Sequence, residues 1–136
     1  MQLVANIVKI LKEVTSLNIY PVASPNAKEE CIVYKYYTIS DNGAKEQVRF
    51  EIRIIAKSLS KVEDLDKKIR QAFFKVGAGS KIPKATNIEI YGGGLLEDYN
   101  SNMKHKIIKF LITKKSGVIY KGNKQEIYSV GYKIID

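Results

Sequence analysis

The sequence predicts an α+β domain in which two helices pack on one face of a single, mainly antiparallel sheet of about four strands. Two observations support this prediction. Apolar residues repeat at helical spacing in two segments, near residues 2–16 and 61–76. Two segments in which apolar and polar residues alternate, the pattern of half-buried strands, follow each of them. Short connections in this order favour one sheet with both helices on the same side.

The length of 136 residues fits one domain, and 45% hydrophobic with 27% charged residues is typical of globular proteins. Residues 1–115 hold the α+β domain, and residues 116–136 are predicted to add a C-terminal β-hairpin, as an extension or arm. No apolar run approaches the roughly 18 residues needed to cross a bilayer. The first residues lack the features of a signal peptide. We therefore expect no membrane association and a location in the cytoplasm.

The first helix leads into an extended segment and then a hairpin. Pro21 disfavours helix at the residue before it, so residues 19–22 are predicted to be extended. Residues 31–39 and 46–57 are predicted strands, joined by a turn at 40–43. The first of these strands has bulky residues on both faces, and the sequence leaves open which set is core: Ile32, Tyr34 and Tyr36, or Val33, Tyr37 and Ile39. The helix before it has one apolar stripe: Leu3, Ile7, Ile10, Leu11 and Val14.

The second helix is predicted to begin at a capping box, with Ser60 as the N-cap and Glu63 reaching back to it, and to end at Gly77 and Gly79. Strands are predicted at 86–91 and 104–114. The three glycines at 92–94 lack the Gly-Lys-Ser/Thr ending of a phosphate loop, so they indicate a flexible loop or a strand bulge. The apolar stripe of this helix consists of Val62, Leu65, Ile69, Ala72, Phe73 and Val76.

No arrangement of residues in the sequence predicts catalysis. Cys31 is the only cysteine, and its place at the head of an apolar strand favours a buried thiol. His105 is the only histidine, and the sequence places no carboxylate or nucleophile beside it. Glu97 and Asp98 form one acidic pair, which offers too few ligands for a metal. We therefore expect a protein that is not an enzyme and that has no cofactor and no metal.

The net charge of +9 raises the possibility of nucleic-acid binding. Only three of the 23 basic residues are arginines, however, and arginine is the residue that contacts phosphate and guanine with two parallel hydrogen bonds. We therefore expect no specific nucleic acid as a partner, although a preference for acidic surfaces stays possible. A small basic nucleic-acid-binding protein is one alternative function, and it predicts affinity that falls steeply as salt rises.

The nine tyrosines mostly lie in or beside predicted strands. Tyrosine is enriched at protein interfaces because its ring can be buried while its hydroxyl stays hydrated or bonded. Stacking on nucleic-acid bases is the alternative, but the sequence lacks the aromatic signatures of RNA-binding modules. The candidate subunit-interface residues are Tyr34, Tyr36, Tyr37, Ile39, Tyr99, Tyr128 and Tyr132.

The layout of the chain resembles the tail-completion, or tail-terminator, proteins of long-tailed bacteriophages and phage-tail-like particles. The resemblance covers about residues 1–114. It depends on patterns of residue class rather than on invariant motifs, and the C-terminal hairpin is not part of it. The segments that carry it are the N-terminal amphipathic helix and residues 19–22, 31–36, 48–54, 61–73 and 96–110.

This resemblance implies a structural protein that forms a ring, usually a hexamer, on the head-proximal end of the tail tube and stops its polymerisation. The implied partners are further copies of the chain, the tail tube protein, and a sheath or head-connector protein. The implied location is the host cytoplasm during assembly and then the tail of the virion or particle. A head-to-tail connector or neck ring of the same particle is the second alternative function.

Overall fold

The computed structural model describes residues 2–75, 79–98, 101–116, 118–121, 126–129 and 132–135. The two helices in this part of the chain are α1 (Gln2–Thr15) and α2 (Leu59–Phe73), and neither is long and apolar enough to span a membrane. The main sheet contains β1 (Asn18–Pro21), β2 (Cys31–Asp41), β3 (Lys45–Ala56), β4 (Ala85–Asp98) and β5 (Met103–Lys115). Three short strands follow: β6 (Val118–Lys121), β7 (Glu126–Ser129) and β8 (Tyr132–Ile135).

The main sheet has the strand order β1-β2-β3-β5-β4. β1 pairs with β2 in parallel, and the other neighbours are antiparallel. This confirms the α+β class and the mainly antiparallel sheet, and it corrects the number of strands from about four to five. The additional strand is β1, for which the sequence predicts only an extended segment. Four residues are too few to display a clear alternation, and the partner strand of β1 begins ten residues after it ends.

The C-terminal region contains one strand more than the predicted hairpin. β6, β7 and β8 form a separate three-stranded sheet, with β7 in the middle. The alternation of apolar residues over 128–134 suggests one continuous strand, but β7 and β8 are two strands that pair with each other, with Ser129 opposite Tyr132.

Both helices lie on one face of the main sheet, here called the helix face; the opposite face is called the open face. Alternate residues of β3 and β5, among them Phe50 and Phe110, are completely buried against the two helices. Phe73 of α2 meets Phe110 edge to face, with ring centroids 5.1 Å apart. Of the predicted helical stripes, Ile10, Val14 and Ala72 are half-buried, Val76 lies outside the described residues, and the other members are buried.

The N-cap of helix α2 lies two residues before the predicted one. Ser58 is the N-cap, and its side chain accepts a hydrogen bond from the Lys61 amide. The capping box prediction is therefore wrong: Ser60 lies in the first turn, and the Glu63 carboxylate accepts from Lys106 on β5 instead of reaching back.

The predicted end of α2 is also too late. The helix ends at Phe73, before Gly77, which lies outside the described residues, and before Gly79. The Phe73 carbonyl there accepts a hydrogen bond from the Lys81 amide, and Phe74 forms a β-bridge with Ser80. The helix thus ends where its last residues make contacts with residues 80–81. The positions of the glycines do not indicate these contacts.

A cluster of charged side chains connects α2 to β5. Lys106 Nζ lies 2.7 Å from Asp66 Oδ2 and 3.2 Å from the Glu63 carboxylate, and Arg70 Nε lies 2.7 Å from Asp66 Oδ1. Burial alone would raise the pKa of Asp66, but the hydrogen bonds from Arg70 and Lys106 outweigh it and hold this pKa below its usual value. Burial alone would lower the pKa of Lys106, but the two carboxylates outweigh it and raise this pKa.

The three consecutive glycines lie inside β4 and not in a loop. The pairing of β4 with β5 shifts by one residue between Ile90 and Gly92, so the segment contains a β-bulge, one of its two predicted forms. Gly93 has a φ of +148°, and a Cβ at this position would lie 2.2 Å from the carbonyl oxygen of Ile107. Only glycine fits there, because β4 and β5 approach too closely for a side chain.

Candidate subunit interface

The burial of β2 changes along its length. Its first residues, Cys31, Ile32 and Val33, are buried, Tyr34 is half-buried, and every residue from Lys35 to Asp41 is exposed. The parallel partner β1 pairs only with Cys31–Tyr34. The second half of β2, residues 35–41, is here called the distal half. It therefore has one strand edge to which no described strand is paired.

Both faces of the first half are covered from within the subunit. On the helix face, Ile32 and Tyr34 belong to the main core. On the open face, Cys31 and Val33 form a second small cluster with Ile55 and Met103, and Tyr20 packs against it. The set containing Ile32, Tyr34 and Tyr36 therefore faces the main core, which settles the question that the sequence leaves open.

Tyr34 and Tyr36 both stack against Phe50 of β3. Their ring centroids lie 5.6 Å and 6.2 Å from the Phe50 ring, with interplanar angles of 6° and 11°. Tyr36 nevertheless keeps 41% of its surface exposed, because it lies past the covered part of the helix face. Tyr34 lines a shallow groove with Val4, Val8 and other residues of α1. Of these two predicted interface residues, only Tyr36 presents a largely open ring.

Tyr37, on the open face, belongs to an exposed cluster with Arg49 of β3 and Tyr91 of β4. Arg49 Nη1 donates to Tyr37 Oη at 3.1 Å, and its guanidinium lies 5.9 Å from the Tyr37 ring centroid and 5.2 Å from that of Tyr91. The hydrogen bond and charge interaction with Tyr37 raise the pKa of Arg49. Burial and the nearby Tyr37 raise the pKa of Tyr91. The cluster is a rigid, amphipathic surface of the composition that interface hot spots favour.

The exposed apolar surface also includes β4, which the candidate list omits. Tyr37 and Ile39 of β2 are 51% and 39% exposed, and Tyr91, Leu95 and Leu96 of β4 are 42%, 53% and 50% exposed. The signal for β4 is the run Ile-Tyr-Gly-Gly-Gly-Leu-Leu at 90–96, which has no charge. If residues 90–96 are interpreted as a loop, they give no reason to expect an interface. An edge strand with the same composition does give such a reason, because its unpaired backbone can bind another strand.

The other predicted interface residues are not tested. Tyr99 lies outside the described residues. Tyr128 and Tyr132 belong to β7 and β8, but their side chains lie outside the described part of the structure. Their place at an interface stays a prediction.

In the described part of the chain, the residues that could take part in catalysis or metal binding do not come together in one site. Cys31 is buried and free, and burial raises the pKa of its thiol, which agrees with the predicted buried thiol. His105 lies on β5, between Ile55 of β3 and Leu96 of β4. Among the described residues, no group of three or more His, Cys, Asp and Glu side chains could hold a metal ion.

Comparisons with known proteins show a similarity in fold. No protein-family model matches the chain, and no curated protein matches it. Among solved structures, the chain is similar to a chain in the virion of a native gene transfer agent particle, with 14% sequence identity and a TM-score of 0.59. The match covers 82% of this chain and 93% of that chain. At this identity, the similarity shows that the two chains share a fold.

Proposed function

We propose that the chain is a structural protein of a phage or phage-tail-like particle, and that it forms a ring at the head-proximal end of the tail tube and stops tube polymerisation. The observation that carries this proposal is the exposed, uncharged surface of residues 36–40 of β2 and of residues 90–96 of β4. Exposed apolar surface of this kind indicates contacts with other proteins. The fold shared with a chain of a gene transfer agent virion supports a role in particle assembly.

A ring requires two different patches that complement each other, because each subunit contacts one neighbour on each side. β2 and β4 lie on opposite sides of β3 and β5, so their exposed residues offer two such patches on one subunit. The proposed partners are further copies of the chain, six in the ring that the family resemblance implies, the tail tube protein, and a sheath or head-connector protein. The ring acts by blocking the tube end, and this role needs no catalysis and no cofactor.

Deletion of the gene from its particle-producing locus tests the proposal, with tail lengths measured by electron microscopy. We expect overlong tubes of variable length, because nothing stops polymerisation. Tails of normal length that fail to join heads would instead support a neck connector. Unchanged particles would contradict both functions. Complementation by the wild-type gene supplied in trans is the control for effects on neighbouring genes.

A second candidate function, non-specific binding of a polyanion, is favoured by one surface. Residues 67–84, in the second half of α2 and the segment after it, contain six basic residues and no acidic one. Lys68 and Arg70 form ion pairs with Asp64 and Asp66. All six side chains are exposed: Lys67, Lys68, Arg70, Lys75, Lys81 and Lys84. Such a patch binds phosphates through counterion release, so affinity for a DNA duplex should fall steeply between low and physiological salt. Absence of binding at low salt, measured by fluorescence anisotropy, would rule this function out.

A further inference from the structure

The outer edge of β4 contains an uncharged segment, residues 90–96, between Glu89 and Glu97. β4 is the last strand in the order of the main sheet, so only its β5 side is paired with a described strand. Residues 90–96 include no charged residue and no proline, and Tyr91, Leu95 and Leu96 are exposed. Natural proteins usually protect sheet edges with charges, prolines or a covering segment. An edge without charges and prolines therefore indicates a place where another strand can pair.

One of the three glycines in this edge, Gly94, has no explanation within the subunit. Gly93 is required, because a side chain would collide with the Ile107 backbone. Gly92 adjoins the β-bulge, and a Cβ there would meet only Lys109, at 3.6 Å. A Cβ on Gly94 would meet nothing within 4 Å, and Gly94 has no positive φ. Glycine inside a strand often marks close approach by another backbone or a ligand, and at Gly94 there is room for such an approach from outside the subunit.

The distal half of β2 provides the complementary surface. The glycines of β4 have no side chains, whereas the edge of β2 has large ones. Tyr36, Tyr37 and Ile39 of β2 are exposed, and residues 36–40 have no charge. Aromatic side chains that pack over glycines in a neighbouring strand stabilise sheets, since they bury the exposed glycine backbone. The two edges therefore have different, complementary shapes, which is what a contact between two different patches of identical subunits requires.

The directions of the strands also fit a ring. β2 is antiparallel to β3, β3 to β5, and β5 to β4, so β2 and β4 run in opposite directions on opposite sides of one sheet. A rotation without a flip brings β4 of one copy beside β2 of the next as an antiparallel pair. Within one subunit Gly93 is level with Tyr34, and Tyr37 is level with Glu89. Tyr37 therefore faces Gly93 of the next copy when the strands are tilted from the rotation axis, so that neighbouring copies are staggered by about three residues, as strands are in a β-barrel. Repetition of such a rotation generates a closed ring.

Charge further favours these edges as the point of contact between two copies. Each chain has a net charge of +9, so two copies repel each other over most of their surfaces. Segments 36–40 and 90–96 contain no charge, and contact through them avoids placing like charges opposite each other. A second copy is therefore the occupant that both edges fit.

We propose that the β4 edge of one copy pairs antiparallel with the distal half of β2 of a second copy, with Tyr36, Tyr37 and Ile39 packed over the glycine segment. This inference rests on the proposed function, which requires identical subunits in a ring. It identifies the contact that closes the ring.

Intersubunit disulfides test this contact directly. Tyr36→Cys, Tyr37→Cys and Ile39→Cys chains are each mixed with Gly92→Cys or Gly94→Cys chains, at concentrations where the wild type sediments as an oligomer, and are oxidised. Within one subunit, β2 and β4 are three strand spacings, about 14 Å, apart, which is too far for a disulfide. Cys31 is buried and does not compete. We expect disulfide-linked dimers in the mixtures and none in any single variant.

Two controls make the result specific. Gln71→Cys, on the exposed surface of α2, should not cross-link to Gly94→Cys. Gly94→Lys should abolish the oligomer and, at concentrations where the wild type is monomeric, leave the urea unfolding midpoint close to the wild-type value. Gln71→Lys should leave both unchanged. The proposal is overturned if no combination cross-links, if single variants cross-link to themselves, or if the wild type stays monomeric up to its solubility limit. Overlong tails after gene deletion, together with absent cross-links, would preserve the function and reject this interface.

Discussion

Replacement of Gly93 by alanine should destabilise the subunit strongly, because the close approach of β4 to β5 leaves no room for a side chain. The φ of +148° costs about 1–3 kcal/mol for a residue other than glycine. The new Cβ would lie 2.2 Å from the Ile107 carbonyl oxygen, so the backbones must separate. Loss of one or two hydrogen bonds of the ladder adds about 1 kcal/mol each. Together these costs lower the free energy of unfolding by about 2–5 kcal/mol.

Urea denaturation measures this difference. With a denaturant slope of about 2 kcal/mol per molar, the midpoint of Gly93→Ala should fall by about 2 M. Gly94→Ala is the matched control: its Cβ meets nothing within 4 Å, so we expect a gain of about 0.5 kcal/mol from the less flexible unfolded chain. If Gly93→Ala were as stable as the wild type, or Gly94→Ala lost as much as Gly93→Ala, the assignment of Gly93 alone to intrachain packing would be refuted.

Three further predictions concern the subunit itself. Asp66→Asn should cost about 1.5–3 kcal/mol, because the buried carboxylate that Arg70 and Lys106 both contact is lost and Lys106 keeps only Glu63. The pKa of Asp66 is lowered in the folded state, so its contribution to the free energy of unfolding is complete above the ordinary pKa of 3.8 and is lost as pH falls through the lowered pKa. The urea midpoints of Asp66→Asn should lack this acid dependence. Ser58→Ala should cost about 1 kcal/mol in thermal unfolding and Ser60→Ala less than about 0.5 kcal/mol, and equal losses would contradict Ser58 as the N-cap. Cys31 should react with a thiol reagent only as fast as the chain unfolds, and faster labelling would show that its burial is incomplete.

The sequence correctly predicts those elements in which one face has the same environment along most of its length. Helix α1, β3 and β5 each have one face that is buried along most of the element, so the apolar period marks them correctly. The predicted N-cap at Ser60 fails for a different reason. Ser58 and Ser60 are both suitable cap residues, and the choice depends on Glu63, which contacts Lys106 of β5 rather than the helix start. A contact 43 residues away is not visible in local sequence.

The contribution of β4 to the candidate interface was missed because a glycine segment has two physical meanings. Consecutive glycines lower the stability of any regular element, so locally they predict a loop. In the folded chain, the ladder to β5 continues through Gly92, Gly93 and Gly94 opposite Lys109, Ile108 and Ile107. The long partner strand imposes the extended conformation on them. A glycine can therefore indicate that another backbone approaches closely. This approach is visible only when the pairing of the strands is known.

The two bulky faces of β2 have a similar explanation. A period of two assumes that each face of a strand has one environment along its length, but in β2 the environment changes at Tyr34, where pairing with β1 ends. Before this residue both faces are covered by the subunit, and after it neither face is buried. The distal half keeps the apolar composition of a core strand in a position where its own subunit does not bury it. Exposed tyrosine and isoleucine at such a position add little to subunit stability, so the stabilisation that they can provide must come from contact with another molecule.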